Sequence, residues 1–114
     1  MNNNLQLLVV AGKEAGKTFT VSAHGATLGR SRVADICLED DALSRQHCRI
    51  YFAPQPYVED LNSSNGTLLN GVTVKDQPAP LVTGDILAIG AWVFRVICPT
   101  EVQTPASPSP QSQP

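Results

Sequence analysis

An all-β sandwich or barrel is the fold that this sequence predicts. Short apolar and β-branched runs follow one another from end to end, and turn residues interrupt them at short intervals. No stretch of ten or more residues holds a 3.6-residue apolar period, so no helix is expected. Short strands spaced in this way pair into sandwiches and barrels.

The first run is Leu5 to Val10, apolar apart from Gln6 and followed by Gly12 and Gly16. Thr18-Phe19-Thr20-Val21 comes next, rich in the β-branched and aromatic side chains that fit a pleated surface. Further runs are Ile36-Cys37-Leu38, His47 to Phe52, Tyr57-Val58-Glu59, Thr67-Leu68-Leu69, Val72-Thr73-Val74, Ile86 to Ile89 and Trp92 to Ile97. Between them Gly25, Gly29, Asp40-Asp41, Pro54-Gln55-Pro56, Gly84-Asp85 and Gly90 read as turns. Asn70-Gly71, set between Leu69 and Val72, reads as a two-residue hairpin turn, because Asn-Gly tolerates the positive φ that such a turn requires.

The chain has 114 residues, room for one domain. Five of the nine prolines lie in the last sixteen residues. Residues 1–98 are therefore expected to fold, and 99–114, rich in Pro, Ser and Gln, to be a disordered tail or linker. Hydrophobic residues at 42% and charged residues at 16% give composition enough for a core. No run approaches the roughly 18 apolar residues of a membrane span, and Met-Asn-Asn-Asn does not read as a signal peptide. A net charge of −2 argues against a general nucleic-acid or membrane-surface binder. These features lead to the expectation of a monomeric, cytoplasmic domain.

Cys37, Cys48 and Cys98 are odd in number and contain no C-x-x-C pair, so neither a disulfide framework nor a zinc site is suggested. They read as buried core thiols, each in an apolar setting. Neither metal nor cofactor is expected. The carboxylates Asp35, Glu39, Asp40, Asp41, Glu59 and Asp60 fall in or near turns without paired acid–base spacing, and His24 and His47 are the only imidazoles. With no nucleophile elbow either, an enzyme is not expected. Ala11-Gly12-Lys13-Glu14-Ala15-Gly16-Lys17-Thr18 nearly spells a phosphate-binding P-loop. Its first glycine is missing, however, and Phe19-Thr20-Val21 reads as a strand where the P-loop needs a helix N-terminus.

Asn62-Ser63-Ser64-Asn65-Gly66-Thr67 is six small polar residues in a row. That is more hydroxyl and amide than a turn needs, and it suits a cradle for a ligand with many acceptor oxygens. Taken singly, Arg30 and Arg32 are an ordinary solvated turn, and a lone His47 beside a strand is an ordinary hydrogen-bonded structural histidine.

In combination these pieces resemble the forkhead-associated (FHA) domain. The resemblance rests on Gly29-Arg30, Ser44-Arg45-Gln46-His47, Asp60 to Thr67 and Asn70-Gly71, in that order and spacing, with Gly84 to Gly90 similar to the family's next-to-last strand. It covers about residues 5 to 97. It implies a β-sandwich of about eleven short strands that binds phosphothreonine peptides through loops at one end, without catalysis. The partners it implies are phosphothreonine-containing proteins downstream of a Ser/Thr kinase. Arg30, Ser44, Arg45, Ser64 and Asn65 match the phosphopeptide-binding positions, Asn65 as a reader of peptide backbone C-terminal to the phosphothreonine. Gly29, His47, Gly66 and Asn70 match residues that hold the loops in shape. The chemistry is consistent: phosphothreonine brings about −1.5 to −2 charge and three acceptor oxygens, and Arg30 offers a permanently protonated fork of donors. The alternative is a structural or interaction module of the same fold that reads no phosphate, since fold does not dictate function.

Overall fold

The computed structural model describes residues 4–12, 14–75 and 77–98. Eleven strands run in chain order: β1 (Leu5–Ala11), β2 (Thr18–Val21), β3 (Ala26–Gly29), β4 (Ile36–Cys37), β5 (Cys48–Phe52), β6 (Pro56–Asp60), β7 (Thr67–Leu69), β8 (Val72–Val74), β9 (Ala79–Pro80), β10 (Ile86–Ile89) and β11 (Trp92–Ile97). Among the described residues there is no helix. The strands form a six-stranded sheet, β2-β1-β11-β10-β7-β8, and a five-stranded sheet, β4-β3-β5-β6-β9. All pairings are antiparallel except β3 with β4.

Alternation explains why two sheets close on one core. On β1 the odd-numbered Leu5, Leu7 and Val9 are buried, and on β11 Phe94 and Val96 are buried. Leu28 of β3, Ile50 of β5 and Val58 of β6 meet them from the five-stranded sheet in the same cluster. Each such side chain contributes about 1.5–3 kcal/mol on burial. Leu38, Leu43 and Leu81 lie in connections and still join the core, so the loops are anchored by their own apolar residues.

Two strands were not legible as runs. Ala26–Gly29 is short and ends on a glycine, and Ala79–Pro80 is two residues at a sheet edge, where proline is tolerated because it need not donate. Gly29, read above as a turn residue, instead closes β3 and is buried. A Cβ there would lie 2.1 Å from the Arg45 carbonyl oxygen, so the glycine is required by close backbone approach. Cys37 is also corrected. Its neighbour Ile36 points inward on β4, which leaves Cys37 exposed and its thiol on the Arg30 carbonyl oxygen at 3.4 Å. The near-P-loop is a turn between β1 and β2, with the Val9 amide on the Lys17 carbonyl and the Gly16 amide on the Val9 carbonyl, each at 2.8 Å. Lys13 lies outside the described residues, as does the whole expected tail, 99–114.

The registers divide the connections between two ends. Ala11 pairs near the start of β11, and Gln6 pairs with Ile97 at its finish. The β1–β2 turn, Arg30, the Leu38–His47 segment, the Leu61–Gly66 segment and Gly90-Ala91 therefore share one end. Leu5, Ile97 and the Asn70-Gly71 hairpin lie at the other.

Candidate functional site

Three connections meet at the first end, and buried His47 ties them together. Its amide donates to the Leu28 carbonyl at 2.8 Å, and its own carbonyl accepts from the Leu61 amide at 2.9 Å. Ring Nδ1 accepts the Ser44 amide at 3.1 Å. Nε2 therefore carries the proton and donates to the Gly66 carbonyl at 2.7 Å. One imidazole thus sets the spacing between the loop that holds Ser44 and the loop that holds Ser64 and Asn65.

Around it the loops are cross-linked. The Arg30 and Ser31 amides donate to the Ser44 and Arg45 carbonyls at 3.0 and 3.1 Å. Arg30 Nε donates to the Leu43 carbonyl at 3.1 Å. That bond uses one donor of the guanidinium and holds the side chain over the loop, leaving its terminal nitrogens free for a ligand. The Ser64 amide donates to Ser44 Oγ at 3.0 Å, and Asn65 Nδ2 donates to the Ala42 carbonyl at 2.7 Å. With an acceptor site of Ser44 Oγ filled by an N–H, the hydroxyl proton is left to donate elsewhere.

Of the residues expected from sequence, Arg30, Ser44, Arg45, Ser64 and Asn65 all lie at this end, with Gly29, His47 and Gly66 beneath them. Arg45 is exposed, its carbonyl pressed against Gly29. Asn70 is the exception. Its Nδ2 donates to Asp85 at 3.0 Å and its Oδ1 accepts the Ile86 amide at 2.9 Å. These bonds hold the β7–β8 hairpin against the start of β10 at the far end, so Asn70 does not support this cluster. Its φ of 53° and the 83° of Gly71 are the positive pair of a tight hairpin turn. Arg49 is also elsewhere, paired with Glu59 at 2.6 Å on the outer face of the five-stranded sheet.

Two carboxylates, Asp60 and Asp40, that the sequence reading placed only in or near turns hold these loops. Asp60, closing β6, accepts from the Ser63 hydroxyl, from the Ser63 amide at 3.0 Å and from the Thr67 hydroxyl at 2.7 Å. The Ser63 hydroxyl in turn accepts the Gly66 amide at 3.0 Å. Burial pushes the Asp60 carboxyl up, but these donors, with His47 nearby, hold it below the usual carboxylate range. Asp40 accepts the Ala42 amide at 2.9 Å and the Ala91 amide at 2.8 Å. Those N–H groups hold it low as well, and they fasten its loop to the β10–β11 turn. The legible signal was an aspartate three residues ahead of a serine at the head of a polar loop, the pattern of side-chain-to-backbone turn bonding.

The cluster is a rim of hydroxyl, amide and guanidinium donors cross-linked by these hydrogen bonds. Among the described residues no group of three or more His, Cys, Asp or Glu side chains could hold a metal ion. What the rim can do is accept an anion.

Comparison with known proteins reaches the same region. The family model of the FHA domain matches residues 26–90. Mouse proliferation marker protein Ki-67 is 36% identical over 81 residues, 70% of this chain and 2% of its own length. Pre-mRNA leakage protein 1 of Saccharomyces cerevisiae is 35% identical over 89 residues, 73% of this chain and 43% of its own length. This chain therefore spans less than half of either relative. A solved structure from a structural and functional analysis of phosphothreonine-dependent FHA domain interactions superposes with a TM-score of 0.74 at 28% identity, covering 85% of this chain and 98% of the other.

Proposed function

The chain belongs to the FHA-domain family, and from that premise we propose that it is a non-catalytic module that binds phosphothreonine-containing proteins in Ser/Thr-kinase signalling or assembly. Arg30, Ser44, Arg45 and Ser64 take the phosphate, and Asn65 takes the peptide backbone beside it. One observation carries the reading: the Ser64 amide sits on Ser44 Oγ at 3.0 Å while Arg30 is held on the Leu43 carbonyl at 3.1 Å. A hydroxyl proton and a guanidinium are thereby prearranged at a common rim, and donors fixed before binding lose less entropy when the phosphate arrives. A dianion with three acceptor oxygens matches that donor set.

The proposed partners are phosphorylated proteins with a kinase upstream, and the proposed boundary places residues 1–98 in the binding domain. Three free thiols are compatible with a reducing, cytoplasmic setting. No helix among the described residues is long and apolar enough to cross a membrane.

Fluorescence anisotropy with a degenerate phosphothreonine peptide library, run beside its phosphoserine and unphosphorylated versions, tests the reading. Binding confined to the phosphothreonine library is the expected result. Equal binding of the unphosphorylated library, or none at all, would leave a phosphate-independent module of the same fold.

A further inference from the structure

The loop end carries a second depression, between the Leu61–Gly66 segment and the end of β8. One wall is Ser63, Ser64 and Asn65, and the other is Thr73 and Lys75. The register explains the neighbourhood. Thr67 pairs with Val74, so Gly66, one residue before, and Lys75, one residue after, leave the ladder side by side. Lys75 is exposed there, next to two residues of the phosphate rim.

The groups around the cleft are unequally occupied. Asp60 also lines it, but its oxygens accept from the Ser63 hydroxyl and amide and from the Thr67 hydroxyl. The Gly66 amide is taken by the Ser63 hydroxyl. Lys17 has Glu14 at 3.8 Å and Arg49 has Glu59 at 2.6 Å, whereas among the described residues no carboxylate forms an ion pair with Lys75. The net result is an uncompensated ammonium beside hydroxyl and amide groups, which suits an anion.

We propose that this cleft takes an acidic side chain of the bound phosphopeptide, a carboxylate or a second phosphate, on Lys75, and so selects among phosphothreonine sequences. The inference rests on the phosphothreonine-binding reading above. The cleft measures about 200 Å³, below the roughly 300–1,000 Å³ of pockets that enclose a separate small molecule. It fits one side chain of a ligand already held next door. Ser64 and Asn65 belong to both sites, so a peptide seated on the rim passes along the lip of the cleft. One strand spacing of about 4.8 Å separates Lys75 from Gly66, and two loop residues lead from Gly66 to Ser64. The rim and the Lys75 backbone are thus about 10 Å apart, or about three residues of extended peptide. The four-carbon lysine stem is flexible enough to close the gap. The acidic residue therefore belongs two to four residues from the phosphothreonine. Because the cleft opens to water, a carboxylate there gains about two- to five-fold in affinity. A phosphate, with about twice the charge, gains up to about ten-fold.

Anisotropy with a phosphothreonine peptide carrying alanine at the four positions on either side tests this. Glutamate and phosphoserine are each placed at one flanking position at a time, and affinities are read for wild type, Lys75→Gln and Lys75→Arg. At one position or two adjacent ones, the acidic residue is expected to tighten binding to wild type. That gain should vanish in Lys75→Gln, return in Lys75→Arg and shrink as salt is raised. A larger gain from phosphoserine than from glutamate assigns the cleft to a second phosphate, and an equal gain assigns it to a carboxylate. If the parent peptide binds but no acidic position helps, or the gain survives in Lys75→Gln, the cleft is overturned and the phosphothreonine reading stands. If wild type fails to bind the parent peptide, the phosphothreonine reading itself falls and the cleft falls with it.

Discussion

Arg30 shows how one side chain serves both the fold and the proposed ligand. Its Nε bond to the Leu43 carbonyl contributes about 0.5–1.5 kcal/mol, whereas each bond it would make to a phosphate contributes roughly 1.5–3 kcal/mol. Arg30→Ala should therefore weaken phosphopeptide binding about ten-fold to over a hundred-fold, read by anisotropy. The thermal midpoint should fall by only a few degrees. Unchanged affinity would move the phosphate site away from this rim. The cysteines give a second expectation at this scale. Burial, with the Asp60 charge adding to it, pushes the Cys48 thiol up to about 12, and burial also raises Cys98, while Cys37 is exposed. Alkylation requires thiolate and access. Mass spectrometry of the folded chain at neutral pH should find Cys37 modified first, Cys98 more slowly, and Cys48 only after unfolding.

Among the elements, the loops depend more on their anchors than on their own contacts. Asp60 and Asp40 tie the Leu61–Gly66 and Leu38–His47 segments to backbone donors, and both carboxyls are held below the ordinary range. A carboxylate with a lowered folded value adds stability that is fully present above its unfolded value of about 3.9. That stability disappears as pH falls through the folded value. These two carboxylates should accordingly make the thermal midpoint drop as pH falls below about 4. Asp60→Asn and Asp40→Asn should each lower the neutral-pH midpoint and flatten the acid limb in a calorimetric pH series. A variant whose acid limb is as steep as wild type would show that its carboxylate is not the one responsible.

For the whole molecule, the ladder between β1 and β11 decides where the chain can reach. Ile97 pairs with Gln6, away from the loop end, and β11 with six residues spans about 20 Å. Thr104, outside the described residues, is six residues beyond Cys98, a reach of at most about 20 Å fully stretched. A peptide must also turn and lie across the loops, so binding within one molecule is disfavoured. Chain phosphorylated at Thr104 should associate, if it does so at all, between molecules, as a species that grows with concentration in sedimentation. Arg30→Ala should disperse that association. A compact monomer whose phosphate resists phosphatase at high dilution would contradict this geometry.

Local pattern was enough for the strand-only fold and for most strand positions, while the residues of the loop cluster came from the resemblance to the FHA domain. Alternation, Asn-Gly turns and the polar run Asn62–Thr67 act within a few residues of chain, so they are written in its order. Tertiary contact decided the rest. Gly29 looks like a turn glycine until the Arg45 carbonyl is brought against it, and the β7–β10 pairing decides that the loop Asn70 holds is the hairpin at the far end. Cys37 lies between apolar Ile36 and Leu38 and Cys48 between His47 and Arg49, yet Cys37 faces water and Cys48 the core, because strand register turns alternate side chains to opposite faces. Asp60 and His47 anchor the rim through partners up to 19 residues away. Bonds of that span are set only once two sheets have closed on a common core, and for that reason no local reading of the chain contains them.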